Sequence, residues 1–174
     1  WDTSHVTTME RMFHRVKHLN HPIGNWDVSS VTNMECMFCG CSDFNQPLGD
    51  WDVSSVTNME SIFGCCVKFN QPLNDWDVSK GRKISCMFCE AEPLDKWDTS
   101  EVREMAWMFA GCTKFNQNIG MWNTSNVTRM EGMFEGAVRF NQPLNDWDVS
   151  NVRYMLRMFD GAKSFNQPLD KWNV

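Results

Sequence analysis

Tryptophan returns along this chain at a fixed step, and that step constrains the fold more than any other feature. It stands at positions 1, 26, 51, 76, 97, 122, 147 and 172 of 174 residues, so the interval is 25 residues with a single interval of 21. A period in this range marks a chain made of copies of one short unit that cannot bury its own apolar face and must stack on its neighbours. Units open at Trp1, Trp26, Trp51, Trp76 (21 residues), Trp97, Trp122 and Trp147, and a partial unit covers 172–174. Residues 1–174 therefore read as a single repeat solenoid, and as a segment of a longer chain.

Numbering each unit from its Trp gives strict columns. Column 13 is Phe in every unit: Phe13, Phe38, Phe63, Phe88, Phe109, Phe134 and Phe159. Column 9 is Met except for Ile84, column 12 is Met except for Ile62, and column 23 is Ile or Leu. Around the Trp, columns 1 and 3 are apolar while columns 25 and 2 are polar, a period of two that predicts a short strand with one buried face. Columns 9, 12, 13 and 16 are apolar at i, i+3, i+4 and i+7, the pattern of one helix face. Thr7 with Glu10, Thr32 with Glu35, Thr57 with Glu60 and Thr128 with Glu131 spell T-x-x-E before it, the pattern of a capping box. The Phe-Asn-Gln-Pro-Leu stretch returns the chain, with its Asn expected to be buried and bonded to backbone between units, and with Pro ending the helical side. The expectation is an α/β fold, a leucine-rich-repeat-like solenoid of about seven rungs with a parallel sheet on one face and short helices on the other. An all-β solenoid is the alternative, against which the Met spacing and the capping boxes argue.

The net charge of −6 excludes a general nucleic-acid binder, because phosphate contacts need clustered Lys and Arg. No apolar run approaches the ~20 residues of a membrane span. There is no H-E-x-x-H, no G-x-S-x-G and no glycine-rich phosphate loop, so neither an enzyme nor a cofactor is expected.

Function would then reside where single units depart from the columns. The short fourth unit carries Lys80-Gly81-Arg82-Lys83, which reads either as a solvated loop or as an anion site beside a helix N-terminus. Cys41, Cys66 and Cys112 in column 16 read as small core fillers. Cys36 and Cys39, and again Cys86 and Cys89, form two C-M-F-C pairs, candidates for metal or redox chemistry. The pairs stand two rungs apart, at least ~10 Å, too far to share one tetrahedral zinc. Cross-rung disulfides from Cys65 to Cys39 or from Cys66 to Cys41 are geometrically possible. His14, His18 and His21, with Arg15 and Lys17, make the first return loop basic and offer a weaker metal cluster. Trp107, Tyr154, Leu156 and Met121 place large apolar groups in columns that otherwise face solvent, either as a contact surface or as scattered singles. Asp50 with Asp52, Asp75 with Asp77 and Asp146 with Asp148 flank successive tryptophans as an acidic ladder. It could face a basic partner or Ca²⁺, but D-x-S is also a natural turn in which Asp bonds nearby backbone, and that reading is favoured. Asn123 and Asn126 open glycosylation sequons, meaningful in a secreted eukaryotic setting.

The unit W-D-V-S-S-V-T-N-M-E-x-M-F-x-G-C-x-x-F-N-Q-P-L, carried by residues 26–50 and 51–75, resembles the BspA-like surface-protein repeat family, found in mycoplasma lipoproteins and Listeria-type surface proteins. The resemblance covers essentially the whole chain. It implies a leucine-rich-repeat-like fold, an extracellular or cell-surface setting, and a non-catalytic role in adhesion to a protein or cell-surface partner. No catalytic residue is carried over with it. An architectural subunit or spacer, docked against neighbouring subunits of an assembly, and a cysteine-based metal or redox site are the alternatives.

Overall fold

A computed structural model of the chain describes residues 1–85 and 94–173. The tryptophan period becomes a stack in which each rung lies on the one 25 residues before it, or 21 across the short unit. Six isolated parallel bridges join column 8 to column 8 through the whole stack, along Thr8, Asn33, Asn58, Lys83, Glu104, Arg129 and Tyr154. The ladder runs through the short fourth unit without a break.

Among the described residues there is no helix, and no strand longer than a single bridge residue. The expected α/β leucine-rich-repeat-like arrangement, with a parallel sheet on one face and helices on the other, is therefore corrected. The segment read as helix is a run of overlapping β-turns. In the second rung the N–H of Met37 bonds the carbonyl of Met34 at 3.1 Å, Cys39 bonds Cys36 at 3.1 Å, and Cys41 bonds Phe38 at 2.9 Å. Columns 11 and 15 take positive φ: Cys36 at 54° and Gly40 at 80° here, Gly132 at 56° and Gly136 at 69° in the sixth rung. A positive φ at the third position of a four-residue turn is the type II arrangement, and it cannot occur within a right-handed helix. The N–H groups of columns 9, 11, 13 and 15 then point along the stack. Met34, Cys36, Phe38 and Gly40 donate to the carbonyls of Asn58, Glu60, Ile62 and Gly64 at 2.7–2.9 Å. Half of the backbone donors that a helix would satisfy four residues back are satisfied by the next rung instead, and the alternate ones by a carbonyl three residues back. Successive turns also bring every third or fourth residue inward, which is why the apolar spacing imitated a helix.

The T-x-x-E pairs are not caps. Thr32 and Thr57 donate their hydroxyls to the carbonyls of Thr7 and Thr32 at 3.2 Å, and Glu10 and Glu35 accept from Asn33 and Asn58 of the following rung at 3.1 Å. The strand expected at the Trp is also absent. A turn from column 23 delivers each Trp, as when Trp51 N–H bonds Leu48 C=O at 3.1 Å. The indole N–H then donates to the column-23 carbonyl one rung before that of the delivering turn: Trp51 to Ile23, Trp76 to Leu48, Trp97 to Leu73, Trp122 to Leu94 and Trp147 to Ile119, at 2.9–3.3 Å. A buried indole keeps a partner, as it must in an apolar interior.

One hydrophobic cluster runs from Met9 to Met158. Its spine is two files of phenyl rings. Phe38 stacks on Phe63 at 5.7 Å and 3°, and Phe44 on Phe69 at 5.9 Å and 4°. Within a rung the two files touch, Phe63 to Phe69 at 3.9 Å. The return-loop asparagines do bond backbone between rungs, Asn45 N–H to Asn20 Oδ1 and Asn70 N–H to Asn45 Oδ1, both at 3.0 Å. They stand exposed or half-buried at the rim rather than in the core.

Candidate functional site

Columns 8 to 11 form the row on which the bridges lie, and its outward side chains differ along the stack. In the first three rungs it carries Thr8, Asn33, Asn58, Glu10, Glu35 and Glu60, tied to one another rung to rung by the Asn–Glu bonds described above. Lys83 then stands between Glu60 and Glu104, at 3.9 and 4.0 Å. Lys83 is thus a bridge residue, and no helix starts among the described residues beside Lys80-Gly81-Arg82-Lys83, while 86–93, where the expected helix would run, lies outside them.

From the fifth rung onward large apolar side chains enter the row, beside Glu104, Arg129, Glu131 and Arg157. Trp107, 38% exposed, lies across Gly132 of the following rung. A Cβ at 132 would fall 2.2 Å from the Trp107 Cε3, so only glycine admits this packing. The N–H of Gly132 bonds the carbonyl of Leu156 at 2.9 Å, which places Trp107 and Leu156 on either side of one glycine. Leu156 is 74% exposed and Tyr154 55%. The Tyr154 ring holds the Arg129 guanidinium at 5.1 Å, and Arg129 also grips Glu131. Gly132 was not singled out as a site residue from sequence. The sign was a glycine in column 11 one rung after the tryptophan in column 11. Met121, 87% exposed, lies apart in column 25, beside Leu94, Asp95, Gln117 and Asn118.

The acidic ladder does not face out from a sheet, since the described residues form none. Its column-2 members bond locally: Asp52, Asp77 and Asp148 accept from the N–H groups of Ser54, Ser79 and Ser150 at 3.0–3.1 Å. Bonds from the Ser79 hydroxyl and N–H hold the Asp77 carboxyl below its ordinary range, and Ser150 does the same for Asp148. Its column-25 members meet lysines of the next rung, Asp75 with Lys96 at 2.7 Å and Asp146 with Lys171 at 2.6 Å. Asp50 is exposed, beside Pro47, Gly49 and Pro72. Asn123 and Asn126 are both exposed. Asn123 accepts from Ser125, and Asn126 Nδ2 donates to Ser100 C=O at 2.7 Å.

Cys41, Cys66 and Cys112 are buried among the core side chains, and Cys41 and Cys66 donate their S–H groups to Phe13 and Phe38 carbonyls. The second C-M-F-C pair, Cys86 and Cys89, lies outside the described residues. Cys36 and Cys39 are half-buried, and the stack brings His14 of the rung below to them: a ring nitrogen and the two sulfurs all lie within 4.8 Å of one another. His18 turns away to Asp43, at 2.8 Å. Burial, with Cys39 and Glu35 alongside, raises the Cys36 thiol above its ordinary range, opposite to what a redox nucleophile needs. Cys39 and Cys65 line one cavity as thiols, and the described cysteines form no disulfide.

No helix among the described residues is long and apolar enough to cross a membrane. No curated protein and no solved structure matches the chain. A family profile does, twice, over residues 1–95 and 90–174. The chain belongs to that repeat family, described as Mycoplasma protein of unknown function, DUF285.

Proposed function

We propose that this chain is a non-catalytic protein-interaction module of a surface or secreted repeat protein, with adhesion as its role. The observation that carries this reading is the cluster of Trp107, Tyr154 and Leu156 in a row that is polar in the first three rungs. Large apolar groups left in water forgo roughly 25 cal/mol for each Å² that a partner would cover, and aromatic side chains dominate such contacts. The stack supports this use, since each outward side chain stands on a backbone bonded to the rungs before and after it. The surface setting rests on the family resemblance. The acidic ladder takes a local structural part in this reading, because its column-2 carboxylates are engaged by their own turns.

The test uses Tyr154→Lys with Leu156→Glu, both exposed enough to leave packing intact. Beads carrying the full chain are counted on intact host cells. Binding should fall at least tenfold for the double variant while the thermal unfolding midpoint stays within a degree or two, and unchanged bead binding sinks the adhesion reading. Antibody staining of intact producing cells examines the setting separately, and staining seen only after permeabilisation would sink it.

A further inference from the structure

We propose that His14, Cys36 and Cys39 form a zinc site that clips the first rung to the second. This does not rest on the adhesion reading. The three donor atoms lie within 4.8 Å of one another. A tetrahedral zinc with bonds of about 2.0–2.3 Å holds such donors roughly 3.5–3.8 Å apart, so closure needs only a small side-chain adjustment. The backbone around them is already fixed. Cys39 N–H bonds the Cys36 carbonyl at 3.1 Å, closing the turn that carries both thiols. His14 N–H closes the equivalent turn on Arg11 at 3.1 Å, and Arg15 N–H bonds the Cys39 carbonyl at 2.7 Å, locking the two turns in register.

A second observation points to a ligand. The Nδ1 of His14 is buried and has no hydrogen-bond partner. A buried polar atom without a partner is costly, and such a cost persists where a bound group compensates it. Column 14 explains the room beside the sulfur. It reads His14, Cys39, Gly64 in successive rungs, and a Cβ at Gly64 would stand 3.3 Å from Cys39 Sγ. The missing side chain leaves that flank of the sulfur open. Beside it lies a cavity of about 400 Å³ lined by His14, Cys39, Cys65, Arg15 and Lys17, which gives water access to a fourth coordination position.

The donor set chooses the ion. Imidazole with two thiolates suits zinc and disfavours magnesium and calcium, which take oxygen ligands. The nearby Arg15 and Lys17 would repel a bare dication, but two thiolates neutralise the zinc charge. Each thiol gives up its proton to solvent as its sulfur binds, and no electron is transferred.

The experiment titrates Co(II), then Zn(II), into the full chain bearing Cys86→Ser and Cys89→Ser, so that only this pair is read. The expected result is one ion per chain, a near-ultraviolet thiolate-to-cobalt band, visible bands of tetrahedral intensity, and displacement of cobalt by zinc. His14→Ala, Cys36→Ser and Cys39→Ser should each weaken binding by more than the ~10–100-fold typical of losing an outer-shell partner. His18→Ala and His21→Ala should leave it unchanged. No thiolate band, or binding that survives Cys36→Ser with Cys39→Ser, overturns the site. Binding indifferent to His14→Ala overturns the three-ligand form. A second measurement needs no substitution at the site: zinc should slow alkylation of Cys36 and Cys39 at least tenfold while leaving exposed Cys65 unprotected. Equal alkylation rates with and without zinc also overturn the proposal.

Discussion

The first three rungs and the last three are built on the same inward columns, yet they hold their turns in different ways. In rungs one to three the left-handed positions are filled by Arg11, Arg15, Cys36, Ser61 and Cys65, with glycine only at Gly40. In rungs five to seven Gly111, Gly132, Gly136 and Gly161 take most of them, leaving Trp107 and Arg157. A side chain at such a φ costs roughly 1–2 kcal/mol, so the N-terminal half carries more local strain for the same fold. The backbone accepts it because the N–H groups of columns 9, 11, 13 and 15 bond the next rung while the alternate ones close the turns. The outward row differs in parallel. It is an Asn–Glu network in one half, and Trp107 over Gly132 with Tyr154 over Arg129 in the other. The core and the N–H ladder define the fold, and the outward row is free to diverge.

The largest expected effect tests whether the two cores are equal. Phe38 and Phe134 are both fully buried and each stacks on three other rings. Truncating either to Ala should cost about 3–5 kcal/mol in urea unfolding. A gap of more than ~2 kcal/mol between them, wider than the usual spread of one substitution type among buried sites, would break the equivalence. Next comes Gly132→Ala, which adds a 2.2 Å clash with Trp107 to the strain of φ +56°. It should cost about 2–4 kcal/mol, and a Trp107→Ala background should remove most of the steric share. If the cycle shows no coupling, the indole does not rest on residue 132. Smaller still is the gain from Ser61→Gly or Arg157→Gly, up to ~1 kcal/mol once the added chain entropy of glycine is offset. A loss at either position would mean that the side chain contributes more than its strain costs.

The smallest effect is on acidification. Asp77 titrates below its ordinary 3.8 because Ser79 hydrogen-bonds its charged form. Its contribution is therefore present above the unfolded value and lost as the pH falls through the lower folded value. Asn123 holds the same column and accepts from Ser125 without titrating. The Ser79 amide should move in an NMR titration below about pH 4 while Ser125 stays still, and Asp77→Asn should abolish the movement. Parallel movement of both amides would mean that the whole stack is loosening.

Much of the candidate site was legible in part. Trp107, Tyr154 and Leu156 stood out because they broke columns, and they are exposed. Gly132 was missed because a glycine looks like drift until its neighbour's ring is placed over it. Cys36 and Cys39 were visible as a pair, but His14 was grouped with His18 and His21 by proximity in sequence. Its neighbours in space stand one rung away, Cys39 in column 14 and Cys36 in column 11. The helix reading failed for a local reason. Column 15 is glycine in four units, Gly40, Gly111, Gly136 and Gly161, and recurrent glycine at one place in a supposed helix argues for positive φ instead.

By itself the sequence determined the period, the inward columns and the unit boundaries, because burial is a property of each side chain and repeats with it. Whether Met and Phe at i, i+3, i+4 and i+7 sit on a helix or on a run of turns was decided only by the tertiary structure. Both arrangements bring those residues inward. They differ in where the N–H groups of columns 9, 11, 13 and 15 find acceptors, four residues back or one rung onward, and the second acceptor exists only once the next rung is in place.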